Sequence, residues 1–234
     1  VGLRLCHYWM FFLKKCSSDV SDPDVYNQAG ANHKQKLTMT TTGAPTALSI
    51  DRIETLSETH FNDARQISNE FLSTTNKRAC LICPCGLCPD TKEEFEGFYR
   101  RSPGRCSTHG LAVRSDGVVV GVVNLRQGGQ DTKFFETLMH RPGPQEVYVE
   151  YMAVTKDARG MGAGTKMLEW AEAVARERDA TTLTLSVVNG NPAKRLYERK
   201  GFKDVAKVSA PEIFCLFGMP HGQCGGTTME KELV

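Results

Sequence analysis

The sequence predicts one α/β domain built on a mixed sheet, with a parallel strand–helix–strand unit at its centre. Three observations carry that expectation. "VYVEYMAV" (147–154) is apolar on both parities apart from one carboxylate, which suits a central strand covered on both faces. "RGMGAGTK" (159–166) then sets Gly160, Gly162 and Gly164 at alternate positions ahead of a helical stretch. Along that stretch, from about 164 to 178, Met167, Leu168, Ala171, Val174 and Ala175 line one side, and "TTLTLSVV" (181–188) follows as the next strand.

The flanking elements can be justified in order. "ALSIDRIE" (47–54) alternates like a first strand. Residues 57–72 carry Phe61, Ala64, Ile67 and Phe71 at helical spacing, with Ser57 or Thr59 placed to cap the helix. "TKEEFEGFYRR" (91–101) reads as a short amphipathic helix. "HGLAVRSDGVVVGVVNLRQ" (109–127) is a strand, a Ser-Asp-Gly turn and an apolar strand, hence a hairpin. Residues 128–145 form a polar loop. "NPAKRLYERKG" (191–201) is a short helix with Asn191 as cap, Pro192 in the first turn and Gly201 as stop. "FKDVAKV" (202–208) and "TTMEKELV" (227–234) close the sheet around a loop that holds Cys215, His221 and Cys224.

Composition excludes several classes. The 234 residues are 40% apolar and 24% charged, as in an ordinary globular domain. A net charge of +2 argues against a dedicated nucleic-acid binder. No apolar run approaches the roughly 20 residues that cross a bilayer, so no membrane partner and a cytoplasmic location are expected. The chain opens on Val1, with Met10 and Met39 as alternative starts, and 1–45 is expected to be a disordered or non-native tail. The folded domain is placed at 46–234.

A strand that runs into a glycine-rich turn and then a helix aims several free N–H groups outward, reinforced by the helix dipole, and so makes a phosphate site. A P-loop needs G-x-x-x-x-G-K-[ST], and Thr165 separates Gly164 from Lys166. A dinucleotide fingerprint needs G-x-G-x-x-G and a ribose-binding carboxylate after the next strand, and that strand ends in Val188-Asn189. What remains is Arg159-x-x-Gly162-x-Gly164 directly after an apolar strand.

"YMAVTKDARGMGAGTKMLEWA" followed by "NGNPAKRLYERKGF" resembles the two signature motifs of the GNAT N-acetyltransferases. The likeness spans 47–234 in element order and 147–202 in detail. It departs from the common pattern at Lys156, where many members have proline, and at Ala158, where many have an aromatic. The resemblance implies the GNAT acyl-CoA N-acyltransferase fold, a mixed and mostly antiparallel sheet. It implies acetyl-CoA as co-substrate, with its pyrophosphate on Arg159, Gly160, Met161, Gly162, Ala163, Gly164 and Thr165. Its arm and carbonyl are expected along the backbone of Met152, Ala153 and Val154, beside Asn191.

Acetyl transfer needs a neutral amine, whereas a free alkylammonium titrates near about 10.4. Glu150, the lone charge of its strand, is the candidate base; burial would raise its proton affinity. The resemblance implies Tyr197 as the donor to the departing sulfur. The expected reaction is direct acetyl transfer to a primary amine of a small molecule or a protein, by a monomer or homodimer. The alternative is a non-catalytic acyl-CoA-binding module regulated through a cysteine loop.

Four of nine cysteines fall in "CLICPCGLC" (80–88), within an insertion at 78–109. Cys85-x-x-Cys88 ahead of Cys106-x-x-His109 is a spacing that can clamp tetrahedral zinc, with Cys80 and Cys83 equally suitable; the alternative is a set of reduced thiols.

Overall fold

The structure, a computed structural model, describes residues 48–75, 90–128, 140–208 and 225–233, with side chains from 71 to 75 outside that set. The tail at 1–45 lies outside the described residues, as do Cys80, Cys83, Cys85 and Cys88 and the loop with Cys215, His221 and Cys224. Leu48–Val234 forms one compact unit.

Seven strands make one sheet in the order β1-β2-β3-β4-β5-β7-β6. They are β1 (Ile50–Thr55), β2 (His109–Arg114), β3 (Val119–Gln127), β4 (Glu146–Val154), β5 (Thr182–Val188), β6 (Lys203–Val208) and β7 (Gly226–Glu232). The helices are α1 (Phe61–Thr75), α2 (Lys92–Arg101), α3 (Ala163–Glu177) and α4 (Lys194–Arg199). Among the described strands only β4 and β5 pair in parallel, with α3 connecting them, and the other pairings are antiparallel. The mixed, mostly antiparallel sheet with its central parallel unit is the fold the sequence predicts.

Local chemistry explains the boundaries. A capping box starts α2: the Glu94 amide donates to Thr91 Oγ1 at 3.2 Å, and the Thr91 amide donates to Glu94 Oε2 at 3.1 Å. The expected cap of α1 is absent. Ser57 and Thr59 hydroxyls bond each other at 2.7 Å, and the chain enters the helix through a 3-10 turn at Glu58–His60. The hairpin turns where expected, with the Gly117 amide on Arg114 O at 2.9 Å and Gly117 at φ 85°. Among the described residues no helix is long and apolar enough to cross a membrane.

Two apolar layers flank the sheet. On one face Met167, Leu168 and Ala171 of α3 pack on Val147, Val149, Leu183 and Leu185. On the other, Phe61, Ala64 and Ile67 of α1 and Phe95 and Tyr99 of α2 pack on Leu111, Val113 and Val122. β4 serves both faces in an unexpected way. Val147 and Val149 join the α3 side, as do Met152 and Val154, whereas Tyr151 and Ala153 join the other. The parity switches at Glu150. Leu125 pairs with Val149 and Asn124 with Tyr151, so Glu150 is the extra residue of a β-bulge.

Candidate active site

Beyond that bulge the two parallel strands part. Their register runs from Glu146↔Thr182 to Val149↔Leu185 and stops there, while β5 continues beside β7 to Val188. The gap between Glu150–Val154 and the end of β5 opens into a cavity of about 840 Å³.

The glycine turn forms the head of the cavity. Gly160 and Gly162 sit at φ 81° and 85°, and a Cβ on either would meet no protein atom within 4 Å. Gly162 is the N-cap of α3, and the first intrahelical acceptor is its own carbonyl, which takes the Lys166 amide at 3.1 Å. The amides of Ala163, Gly164 and Thr165 therefore have no intrahelical partner. Among the described residues no side chain caps them, and the first turn of α3 carries no acidic residue. A positive helix end that is neither capped nor neutralised is suited to an anion. Gly164 has a different task, since its Cβ would stand 2.9 Å from Leu196 Cδ2. It lets α4 close against α3.

Of the residues the sequence assigns to the site, Glu150, Met152, Ala153, Val154, Arg159, Gly160, Gly162, Ala163, Gly164, Thr165, Asn191 and Tyr197 all line the cavity. Met161 does not: its side chain packs on the core and its amide donates to Ala158 O at 3.3 Å. Ile67 and Glu70 of α1, Tyr151, Ser186 and Arg199 also line it, unassigned by sequence. Lys194 and Lys200 instead pair with Asp204 and Glu169, at 2.7 and 2.6 Å.

Asn191 Oδ1 accepts from the Ala193 amide at 2.9 Å, and the Asn191 carbonyl takes the Lys194 amide at 3.2 Å. The expected cap is thus made one turn before α4 begins. Tyr197, buried on α4, meets the Phe202 ring edge-on at 6.1 Å between centroids. Desolvation pushes its phenol up to about 12. At neutral pH it is therefore a proton-bearing donor.

Glu150 is surrounded differently from the expectation of an acid against apolar walls. Its side chain is 5% exposed, and cations meet it. Arg105 Nη2 donates to Oε2 at 2.7 Å, and Asn124 Nδ2 donates to the same oxygen at 2.6 Å. Arg126 Nε stands 2.6 Å from Oε1, in an alignment that makes no hydrogen bond to it. Arg126 also donates through Nη2 to His140 O at 2.7 Å and lies over the Tyr148 ring. A signal was present in sequence: Asn124 and Arg126 interrupt an otherwise apolar strand, and such polar positions are buried only with partners.

The expected place of His109 among zinc ligands is corrected. Cys85 and Cys88 lie outside the described residues. His109 is fully buried in β2, with Nδ1 2.6 Å from the Tyr99 hydroxyl and the rings of Phe95, Tyr99 and Tyr151 around it. Burial, and to a lesser degree the Arg105 charge, lower its pKa to about 3, so it is a neutral core residue. Burial also raises the Cys106 thiol, which disfavours thiolate. Among the described residues no group of His, Cys, Asp and Glu is arranged to hold a metal.

A mixed sheet opened between its two parallel strands, with uncapped helix amides at the head of the gap, is the architecture of an acetyltransferase. The chain belongs to the acetyltransferase (GNAT) family, whose sequence profile matches residues 78–202. Solved structures agree in fold. A GCN5-related N-acetyltransferase from Kribbella flavida is 22% identical, over 81% of this chain and 99% of that one, with a TM-score of 0.58. The ribosomal-protein-alanine N-acetyltransferase from Brucella melitensis is 20% identical, over 77% and 98%, at 0.56. A phosphinothricin acetyltransferase from Sinorhizobium meliloti, in complex with acetyl-CoA, is 14% identical, over 77% and 86%, at 0.56. No curated protein matches the chain in sequence.

Proposed function

We propose that the protein is an N-acetyltransferase that moves the acetyl group of acetyl-CoA directly to a primary amine. The observation that carries this reading is one continuous cavity lined by the first turn of α3 at Ala163–Thr165, by Glu150 and by Tyr197. The Sinorhizobium relative, of the same fold, holds acetyl-CoA.

In this reading the α3 amides, with Arg159 beside them, grip the co-substrate's diphosphate. The edge of β4 past Val149, where the β5 register has ended, offers N–H groups to the thioester carbonyl, where negative charge develops as the amine attacks. Glu150 takes the proton that the amine must lose, directly or through a water. The carbon–sulfur bond then breaks and the electron pair leaves on sulfur.

Tyr197 faces that sulfur. Its hydroxyl, near 12, is a weaker acid than a thiol at about 8.5, so complete transfer would be uphill by roughly 5 kcal/mol. Tyr197 therefore acts as a hydrogen-bond donor to the thiolate, and the neutralising proton comes from the amine by way of Glu150 or solvent.

The experiment is CoA release with a panel of small amines and peptides, products identified by mass spectrometry. Turnover with at least one amine, lowered in Glu150→Gln and Tyr197→Phe, is expected. No turnover with any amine, alongside intact acetyl-CoA binding, would overturn the reading in favour of a binding module.

A further inference from the structure

The bulge at Glu150 is held from outside the two strands that form it. Arg105 reaches it from the 3-10 segment Pro103–Thr108, with a side chain only 2% exposed. One nitrogen, Nη2, donates to Glu150 Oε2 at 2.7 Å; the other, Nη1, donates to Leu125 O at 2.9 Å. These acceptors flank the register break: Leu125 is the β3 residue paired with Val149, and Glu150 is the extra residue next to it. A planar guanidinium spans both along fixed directions, which a single ammonium cannot do.

Arg105 is itself fixed. Thr108 Oγ1 donates to its carbonyl at 3.0 Å, and Arg178, at the end of α3, donates to Ser107 Oγ at 2.8 Å. Both carboxylate oxygens are held: Oε2 takes the bonds from Arg105 and Asn124, while buried Oε1 stands 2.6 Å from Arg126 Nε.

We infer that Arg105 is a positioning residue for acetyl transfer: it bridges Leu125 and Glu150 across the bulge and so fixes the carboxylate at the base of the cavity. This rests on the proposed role of Glu150 as base. A residue that acts through Glu150 should have nothing left to do once that carboxylate is gone, whereas one that merely stabilises the fold should matter in either background.

The test is Arg105→Lys, alone and on Glu150→Gln, with kcat, the KM for acetyl-CoA and acetyl-CoA binding by calorimetry. Arg105→Lys is expected to lower kcat at least tenfold, with acetyl-CoA KM and Kd within twofold, and to cause no further loss on Glu150→Gln. Unchanged kcat in Arg105→Lys, or equal losses in both backgrounds, would overturn the inference. Full activity in Glu150→Gln would remove the base and its positioning residue together, yet leave the transferase reading standing. If the lysine variant does not accumulate, Arg105→Gln, which keeps an N–H donor, is read by the same criteria.

Discussion

Val149 is the last residue of β4 to lie in register with β5, opposite Leu185, and Glu150 beside it is the extra residue of the bulge against β3. The two irregularities are adjacent, and together they make the site. Parting from β5 frees one edge of β4 for a ligand, while the bulge re-aims a carboxylate at the base of the same gap. Each later element serves that gap: α3 brings its amides to one end and α4 brings Tyr197 to its side.

The glycines of the turn should respond to substitution for different reasons. Gly162→Ala meets no neighbour but forces a side chain into φ 85°, at a cost of about 1 kcal/mol. Gly164→Ala has an ordinary backbone but crowds Leu196 Cδ2, the end of a flexible side chain, also for about 1 kcal/mol. Each should lower the Tm by about 2–4 °C. Asparagine separates the causes, since it tolerates the left-handed region: Gly162→Asn should be milder than Gly162→Ala, and Gly164→Asn harsher than Gly164→Ala. Thermal melts of the four variants check this.

In the proposed reaction, Tyr197→Phe would remove a hydrogen bond to the leaving sulfur while keeping the ring against Phe202. We expect kcat to fall about 10- to 100-fold, at the lower end of what general acids contribute, with acetyl-CoA affinity within about threefold. Because the phenol stays protonated up to about 12, the wild-type rate should show no alkaline limb from this group between pH 7 and 10. Such a limb that vanishes in Tyr197→Phe would contradict the assignment.

His109 makes acid stability a readout of core packing. Its folded-state pKa of about 3 lies below the ordinary 6.5, so the unfolded chain binds a proton that the folded chain refuses. Stability should therefore be complete above pH 6.5 and fall as the pH drops toward 3. Between pH 6.5 and 5 the loss should be about 2 kcal/mol. Glu146 does not interfere there: although burial opposes it, hydrogen bonds from His140, Thr184 and the Gly143 amide hold its carboxyl at about 2, so its loss begins only below 4.5. Denaturant midpoints at pH 7.5 and 5 should differ in wild type and much less in His109→Gln, which keeps a polar partner for Tyr99.

The sequence makes the turn and its frame legible because backbone geometry and apolar period set them. Alternate glycines after "VYVEYMAV" leave few alternatives, and the helix that follows shows its buried stripe directly. Met161 was misplaced because adjacency in a motif says nothing of which way a side chain turns. The partners of Glu150 were hidden for another reason. Arg105, Asn124 and Arg126 lie 24 to 45 residues from it along the chain, and only sheet pairing brings them together. His109 misled in the same manner: its spacing from Cys106 suits a metal, but its place on β2 buries it among aromatic rings.

The central claim is that the uncapped end of α3 holds acetyl-CoA in the gap between β4 and β5. Isothermal titration of the whole chain with acetyl-CoA tests it most directly, repeated with Gly162→Val. A side chain at 162 would project into space where no other protein atom lies within 4 Å, the place we propose for the diphosphate. Saturable one-to-one binding to the wild type is expected, weakened at least tenfold in the folded variant. No binding to the wild type, or equal binding by both, would contradict it.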